Sequence, residues 1–243
     1  AMDMAAVAHL SAIKGSLPFI HFFDGFRTSH VQQKIELLDY QDLAGLLDTE
    51  ALAEFRRRAL NPEHPTVKGT AQNSDIFFQS KEAGSGRHLA LPAIVAEYMD
   101  KISQITGRVY HPFDYYGDPE ATDIVVAMGS IGEVACQAVD YLREQGKKAG
   151  FLQVRLYRPF EPEYMFAVMP KTVQRIAVLD RVKVAGALGQ PLYQDVVAAF
   201  NGRKQQPVIV GGRFGLGSKD TLPGDIVAVF NNLTSDEPKN DFT

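Results

Sequence analysis

The second half of the chain alternates between two hydrophobic patterns. Short runs rich in valine, isoleucine and leucine predict buried strands, and between them apolar residues recur at the three- and four-residue spacing of a helix. The predicted strands are 123–130, 148–160, 174–182 and 207–215. The predicted helices lie within 132–146, within 161–173 with an end near Pro170, within 186–202 after a loop, and within 223–233. Four successive strand–helix units predict a parallel sheet covered by helices on both faces, which is an α/β domain over 123–233.

The first half shows one strand pattern followed by helices. The apolar run PFIHFFDG at 18–25 predicts a buried strand that ends at an Asp-Gly turn. A helix is predicted over 28–38, where Thr28 or Ser29 would cap the first turn with its hydroxyl group. One strand is too little sheet for an α/β domain, so we expect residues 1–60 to be part of a domain whose other strands lie upstream.

A long connection is predicted between the two halves. Asparagine, serine, threonine, glycine and proline are frequent over 61–86, which favours irregular structure with at most a short strand at 75–80. Periodic apolar residues then predict a helix over 88–107, and 111–123 again has the composition of a loop. We therefore assign residues 61–122 to a connecting loop and helix.

The two ends of the chain bear on whether it is part of a longer protein. The sequence AMDMAAVAHLSAIKG has the pattern of a helix that stops at Gly15, and no capping residue precedes it. Because a domain seldom begins inside a helix, we expect the chain to be a piece of a longer protein. Residues 234–243 are polar and predict a linker.

The composition is that of an ordinary globular protein and argues against several classes. The chain has 243 residues, of which 45% are apolar and 22% charged, and its net charge is −4. That charge argues against nucleic-acid binding. The single cysteine, Cys136, excludes an internal disulfide and an iron–sulfur cluster held by this chain alone, and it favours a reducing, cytoplasmic location. No apolar run reaches about 18 residues, so no transmembrane helix is predicted.

Several arginine and lysine residues follow the predicted strands. In open parallel sheets, ligands bind beyond the carboxyl ends of the strands. A basic rim at that edge could bind an anionic ligand, or its members could form salt bridges to a neighbouring domain, and the sequence leaves both interpretations open. These residues are Arg155, Arg158, Arg181, Lys183, Arg213 and Lys219.

Other motifs give weaker signals. The run AMGSIGEVA at 127–135 places glycines between a strand and a helix, but it lacks the lysine of a phosphate loop, so a structural turn is favoured over phosphate binding. The six histidines show no metal-binding spacing, and no catalytic residue or metal site is predicted. The residues alone therefore leave function open. One interpretation is a stand-alone α/β binding module for an anionic ligand or a protein partner.

Five stretches together are similar to one family. They are PFIHFFDGFRTSH at 18–30, HPTVKGTAQNSDIFFQ at 64–79, LYRPFEPE at 156–163, VLDRVKVAGALGQPLYQDV at 178–196 and GGRFGLGSKD at 211–220. In order and spacing they resemble the pyruvate:ferredoxin (flavodoxin) oxidoreductases over nearly all of residues 1–230. The chain departs from the family pattern at Ser74, which is usually proline, at Val184–Ala185, usually Glu-Pro, and at Gly217, commonly serine.

The resemblance implies a large, multidomain and usually dimeric enzyme. Its members oxidatively decarboxylate pyruvate to acetyl-CoA with thiamine diphosphate, Mg²⁺, 4Fe–4S clusters and coenzyme A, and pass electrons to ferredoxin or flavodoxin. On this chain the resemblance implies the end of the pyrimidine-side thiamine-binding domain at 1–60 and a transketolase-C-terminal-like α/β domain at 123–233. The family's cofactor residues fall outside these stretches, so we expect no bound cofactor and no activity of the chain alone.

The polar residues after the first predicted strand raise a separate question. Asp24–Gly25 explains a turn, and Thr28 or Ser29 explains a helix cap, so a structural or domain-contact role is favoured over substrate contact for 24–30. An apolar strand without partners also predicts association into dimers or larger species. The weak candidates for cofactor binding are Arg27, Arg181, Lys183, Arg213 and Lys219.

Overall fold

The computed structural model describes residues 1–67 and 71–243, apart from the side chain of Arg27. These residues divide into two compact units. Unit 1 comprises Ala1–Phe22 and Lys34–His111, and unit 2 comprises Phe23–Gln33 and Pro112–Thr243. The segment Phe23–Gln33 thus belongs with unit 2, although the chain on both sides of it belongs to unit 1.

The described elements of unit 1 are helices. They are α1 (Met2–Gly15), α3 (Tyr40–Gly45), α4 (Thr49–Arg57) and α5 (Ser74–Thr106), whereas α2 (Arg27–His30) is a single turn in unit 2. α4 begins at Thr49, directly after Asp48. Asp48 is the cap, because its Oδ1 atom accepts a hydrogen bond from the Ala51 amide at 2.9 Å. α5 ends at Gly107 as predicted, where φ is +69°.

α1 packs against α5 through apolar side chains. Val7 and Leu10 of α1 and Leu91 and Val95 of α5 are buried. Gly15 allows the end of α1 to approach α5 closely, since a Cβ atom there would lie 2.5 Å from the Leu91 Cδ2 atom. Burial of each such side chain contributes about 1.5–3 kcal/mol, which accounts for the docking of α1 better than its helix propensity does.

A buried carboxylate adds a polar contact to unit 1. Asp3 accepts hydrogen bonds from Arg108 Nε at 2.7 Å, from Arg108 Nη2 at 3.1 Å and from the Tyr110 hydroxyl at 2.7 Å. Burial raises the pKa of the Asp3 carboxyl, but the hydrogen bonds from Arg108 and Tyr110 outweigh burial and place that pKa below its usual range. The ionised form of Asp3 therefore stabilises the folded unit.

Replacing Asp3 with asparagine is expected to lower the free energy of unfolding by about 1–2 kcal/mol, because Arg108 and Tyr110 lose a charged acceptor. The contribution of Asp3 is present above its unfolded pKa of about 4 and is lost as the pH falls through the lower folded value. Urea unfolding followed by circular dichroism at several pH values measures both effects. Glu36→Gln is the matched control, because the carboxylate of Glu36 is 90% exposed and 3.5 Å from Arg108. An equal loss of unfolding free energy in both variants would contradict the stabilising role of the Asp3 carboxylate.

The strand predicted at 18–25 is wrong. These residues have no regular secondary structure. A strand needs a hydrogen-bonded neighbour, and within the described part of unit 1 the only bridge pairs Asn61 with His64. An apolar run is therefore not sufficient to define a strand when no partner strand is at hand.

The helix predicted at 28–38 is also wrong beyond its first turn. α2 stops at His30 because Val31 adopts an extended backbone with φ −69° and ψ 124°. Neither Thr28 nor Ser29 is its cap, since both lie within the turn, and the Ser29 hydroxyl donates to the Phe26 carbonyl at 2.8 Å. Residues 31–38 therefore form no helix, although their apolar residues have helical spacing.

The strand predicted at 75–80 is helical, because α5 begins at Ser74. A short apolar run such as DIFFQS does not distinguish a strand from a helix by periodicity alone. Pro92 lies inside α5. Residues 68–70 of the connection predicted at 61–86 lie outside the described residues.

Unit 2 contains the predicted α/β architecture. Its strands are β1 (Phe113–Gly117), β2 (Asp123–Met128), β3 (Ala149–Val154), β4 (Arg175–Asp180) and β5 (Val208–Arg213). Its longer helices are α6 (Ile131–Glu144), α7 (Pro162–Val168), α8 (Pro191–Phe200) and α9 (Pro223–Leu233). The sheet order is β1-β3-β2-β4-β5, with β2 to β5 parallel and β1 antiparallel to β3. The four predicted parallel strands are confirmed.

Each face of the sheet of unit 2 has its own hydrophobic core. On one face Val125, Phe151 and Leu179 pack with α6 and α9. On the other face the neighbouring residues of the same strands pack with α7 and α8, among them Val126 and Leu152. Successive strand residues point to opposite faces, so a strand buried on both sides is apolar throughout.

Two parts of unit 2 differ from the predictions. β1 lies in the stretch 111–123, for which the composition predicts a loop. It forms a strand because β3 supplies its hydrogen-bonding partner. The tail predicted as a linker at 234–243 returns to the sheet. Its Phe242 forms an isolated parallel bridge with Gly212 and packs against the core. The polar composition of the tail gave no indication of this contact, because a single aromatic residue makes it.

Candidate functional site

The strand order of unit 2 defines a crevice at the carboxyl edge of its sheet. β3 and β4 lie on opposite sides of β2, so the chain passes from β2 to one neighbour and then crosses over to the other. Ligands of open α/β sheets bind beyond the carboxyl ends of strands at such a switch point. Here the two strand ends are Gly129–Ser130 after β2 and Arg181 after β4.

A carboxylate of the same chain lies in this crevice. The Asp24 Oδ2 atom accepts a hydrogen bond from the Ser130 amide at 2.7 Å, and its Oδ1 atom is 3.1 Å from Arg181 Nη1. Ser130 precedes the first residue of α6, where the amide groups of a helix start favour a negative charge. The Asp24 side chain is 15% exposed and the Arg181 side chain 24%, so water screens the pair only in part.

The neighbours of Arg181 fix its guanidinium group. The Nε atom donates to the Gly215 carbonyl at 3.2 Å, and the Nη1 atom lies 3.4 Å from the Ser130 hydroxyl. Gly129 adopts a φ of +85°, and a Cβ atom there would lie 2.9 Å from the Asp24 Oδ2 atom. Glycine is thus required both for the backbone conformation and for the approach of the carboxylate.

The residue before Arg181 holds the next helix. Asp180 is buried, and its carboxylate accepts hydrogen bonds from the Leu192 amide at 3.0 Å and the Tyr193 amide at 3.2 Å at the start of α8. Burial raises the pKa of Asp180, and the two amides act in the opposite direction. The role of Asp180 is therefore to join the end of β4 to α8.

The predicted basic rim is largely neutralised within unit 2. Arg155 pairs with Asp114 and Arg158 with Asp195, while Arg181 pairs with Asp24. Buried Arg213 pairs with Asp241 and donates to the Thr243 hydroxyl at 2.9 Å and the Asp241 carbonyl at 2.8 Å. Arg181 and Arg213 consequently bind different partners and do not form one anion site.

The remaining candidates are two exposed lysines and Arg27. Lys183 and Lys219 lie in the loops after β4 and β5, and the structure records no ion pair for either within residues 1–67 and 71–243. The side chain of Arg27 lies outside what the structure describes. The sequence did not reveal the contact between Asp24 and Ser130, since only the position of the carboxylate next to a turn was visible.

Two kinds of binding site were considered among the described residues, a cluster of metal ligands and the amide groups at the start of α6. No group of three or more histidine, cysteine, aspartate and glutamate residues able to hold a metal ion occurs among them. The Ser130 amide, the natural donor for a phosphate at α6, is already bonded to Asp24. Burial raises the pKa of the half-buried Cys136 thiol, with Asp140 and Glu133 adding to it, so Cys136 is not an activated nucleophile.

The helices of the described residues include none with the length and apolar character that crossing a membrane requires.

Two family models match the chain in succession. Residues 1–100 match "Pyruvate flavodoxin/ferredoxin oxidoreductase, thiamine diP-bdg", and residues 121–226 match "Pyruvate:ferredoxin oxidoreductase core domain II". The pyruvate-flavodoxin oxidoreductase of Enterobacter agglomerans is 57% identical over 242 residues, covering 100% of this chain and 21% of the relative. The pyruvate:ferredoxin oxidoreductase of Moorella thermoacetica is 53% identical over 242 residues, with the same coverage.

The chain therefore belongs to the pyruvate flavodoxin/ferredoxin oxidoreductase family. It spans about a fifth of the length of the curated relatives it matches. A solved structure described as "Split gene transketolase, inactive beta4 tetramer" has a TM-score of 0.41 and 14% identity, covering 59% of this chain and 55% of its own. That likeness is too distant to bear on function.

Proposed function

We propose that this chain is part of a pyruvate:ferredoxin or pyruvate:flavodoxin oxidoreductase and supplies structure rather than reacting groups. The observation that carries the proposal is the 57% identity over 242 residues to a pyruvate-flavodoxin oxidoreductase. In the whole enzyme, pyruvate and coenzyme A would give acetyl-CoA and carbon dioxide, and two electrons would pass to ferredoxin or flavodoxin. Thiamine diphosphate, Mg²⁺ and 4Fe–4S clusters would be bound by other parts of that enzyme.

The proposed organisation follows the succession of family matches. Residues 1–60 would complete a pyrimidine-side thiamine-binding domain, 61–122 would connect it, and 123–233 would form the transketolase-C-terminal-like domain, followed by 234–243. The match of residues 121–226 to core domain II supports the third of these assignments. We propose that Lys183 and Lys219 remain available for an anionic group, whereas Arg181 and Arg213 hold segments of the chain.

Exposed apolar side chains support contacts with other parts of the enzyme. Between residues 20 and 40 the exposed set comprises Ile20, Phe22, Phe23, Phe26, Val31, Ile35, Leu37 and Tyr40. Soluble proteins rarely leave so many large apolar groups uncovered in one segment. We propose that the remaining domains and a second copy of the enzyme cover them, and that the enzyme is a cytoplasmic homodimer. The single cysteine of the chain is compatible with that compartment.

Anaerobic purification of the longer protein that contains this chain tests the proposal. We expect it to hold iron and thiamine diphosphate and to reduce a viologen dye when pyruvate and coenzyme A are both added. The 243-residue chain purified by itself is the comparison and should reduce none. Substituting 2-oxoglutarate for pyruvate tests the substrate. Equal or faster reduction with 2-oxoglutarate would contradict the assignment to pyruvate, and an iron-free product without dye reduction would contradict the family function.

The stand-alone binding module gains no support from the arginines of the rim. Its four arginines pair with aspartates of the same unit, so an anionic ligand would have to displace those carboxylates. No other feature of the described residues favours that function over the oxidoreductase.

A further inference from the structure

The segment Phe23–Gln33 needs an explanation for its place in unit 2. Burial of apolar surface does not account for it, because Phe23 is 61% exposed, Phe26 74% and Val31 60%. The Ser29 hydroxyl group does not account for it either, since it donates to the Phe26 carbonyl within the segment. Asp24, with only 15% of its side chain exposed, makes polar contacts from this segment to the residues that follow β2 and β4.

We propose that the crevice beyond β2 and β4 is a carboxylate-binding site and that Asp24 is its built-in ligand. The site consists of the Ser130 amide, the Arg181 guanidinium group and the space left by Gly129. We name these three residues with Asp24 the carboxylate clasp. It holds Phe23–Gln33 to unit 2 while both ends of the segment continue into unit 1. This inference concerns the chain itself and does not rest on the proposed function.

The geometry of the clasp is suited to one carboxylate. Each carboxylate oxygen has its own donor, an amide at 2.7 Å for Oδ2 and a guanidinium nitrogen at 3.1 Å for Oδ1. Hydrogen bonds to charged groups are roughly twice as strong as neutral ones. Arg181 is oriented before binding, because Gly215 and Ser130 accept from it independently of Asp24. A prearranged pair of donors reduces the entropy lost on closing the clasp.

Hydrogen exchange of the 243-residue chain tests whether Asp24 holds the segment. The reporting amides are those of Ser130, which donates to Asp24, and of His30 and Val31, which donate to Phe26 and Thr28 within the segment. Asp24→Ala should accelerate exchange at these amides by about tenfold, and Asp24→Asn by less, because an amide oxygen can still accept from Ser130. Arg181→Met should act in the same direction and provides a second test if Asp24→Ala does not fold.

A salt bridge at the opposite edge of the same two strands provides the matched control. Asp123 at the start of β2 pairs with Arg175 at the start of β4, with Arg175 Nη2 at 3.1 Å from Asp123 Oδ2. Asp123→Asn should destabilise unit 2 generally without a selective effect on His30 and Val31. Unchanged exchange in Asp24→Ala and Arg181→Met, or the same pattern in Asp123→Asn, would overturn the clasp.

Addition of formate tests whether the crevice recognises a carboxylate as such. In Asp24→Ala the Ser130 amide resonance should shift in a saturable manner as sodium formate is added, with sodium chloride at equal ionic strength as the control. The unsubstituted chain should show no such shift, since Asp24 occupies the site. A shift of equal size in both proteins, or none in Asp24→Ala, would show that the crevice does not bind a carboxylate.

Discussion

Replacing Asp180 with alanine is expected to lower the free energy of unfolding by about 3 kcal/mol. The substitution leaves two backbone amides at the start of α8 without their acceptor, the buried one of Leu192 and the partly buried one of Tyr193. An unsatisfied buried donor costs about 1–3 kcal/mol, and the loss of a helix cap about 1 kcal/mol, with part of the two effects shared. Arg181 follows Asp180 directly, so the start of the loop that carries it should also loosen.

Urea unfolding of the chain monitored by circular dichroism measures the Asp180 effect. Asp180→Asn should cost less than Asp180→Ala, because one oxygen acceptor remains. Asp236→Ala is the control, since Asp236 is exposed and the described residues offer it no recorded hydrogen bond or ion pair. A loss below about 1 kcal/mol in Asp180→Ala would mean that α8 does not depend on this carboxylate.

Replacing Phe242 with alanine is expected to lower the free energy of unfolding by about 2 kcal/mol. A fully buried phenylalanine changed to alanine costs about 3–5 kcal/mol, and Phe242 is only partly buried. Its ring lies over Gly212, where a Cβ atom would come within 2.4 Å of it. Its backbone pairs with β5 through the Arg213 amide, which donates to the Phe242 carbonyl at 2.9 Å. The ring therefore secures the tail along the outer strand of the sheet.

Two comparisons make the Phe242 prediction specific. Phe242→Leu should lose much less stability than Phe242→Ala, because most of the apolar contact remains. Digestion with a nonspecific protease should cleave the tail after residue 233 faster in Phe242→Ala than in the unsubstituted chain. Equal stability and equal cleavage in all three proteins would support the sequence-based prediction of a linker over the observed contact.

The sequence predicts the sheet of unit 2 well because the signal there is local. Each of β2 to β5 is a continuous apolar run followed by a helical pattern, and each finds a parallel neighbour from the same region. Residues 18–25 carry an equally apolar run but form no strand, since pairing depends on a second segment that the run itself does not specify. β1 shows the converse, because its five residues become a strand only beside β3.

The site was predictable in position but not in its contacts. The placement of Arg181 and Arg213 at strand ends follows from the sheet, and both residues lie there. Their partners, Asp24 and Asp241, come from distant parts of the sequence, and no spacing rule links them. The sequence left open whether these arginines bind an anionic ligand or form salt bridges, and in the folded chain they form ion pairs with aspartates of unit 2. The close packing of the Asp24 carboxylate against the Gly129 backbone is likewise evident only from the three-dimensional structure.

We propose that the longer protein containing this chain converts pyruvate to acetyl-CoA, and the most direct measurement is that of the product itself. The longer protein, purified without oxygen, would be given carbon-13-labelled pyruvate, coenzyme A and an oxidised viologen dye, and acetyl-CoA would be quantified by mass spectrometry. We predict labelled acetyl-CoA and labelled carbon dioxide in equal amounts, with two viologen molecules reduced for each. A protein that holds thiamine diphosphate and iron but forms no labelled acetyl-CoA would contradict the account.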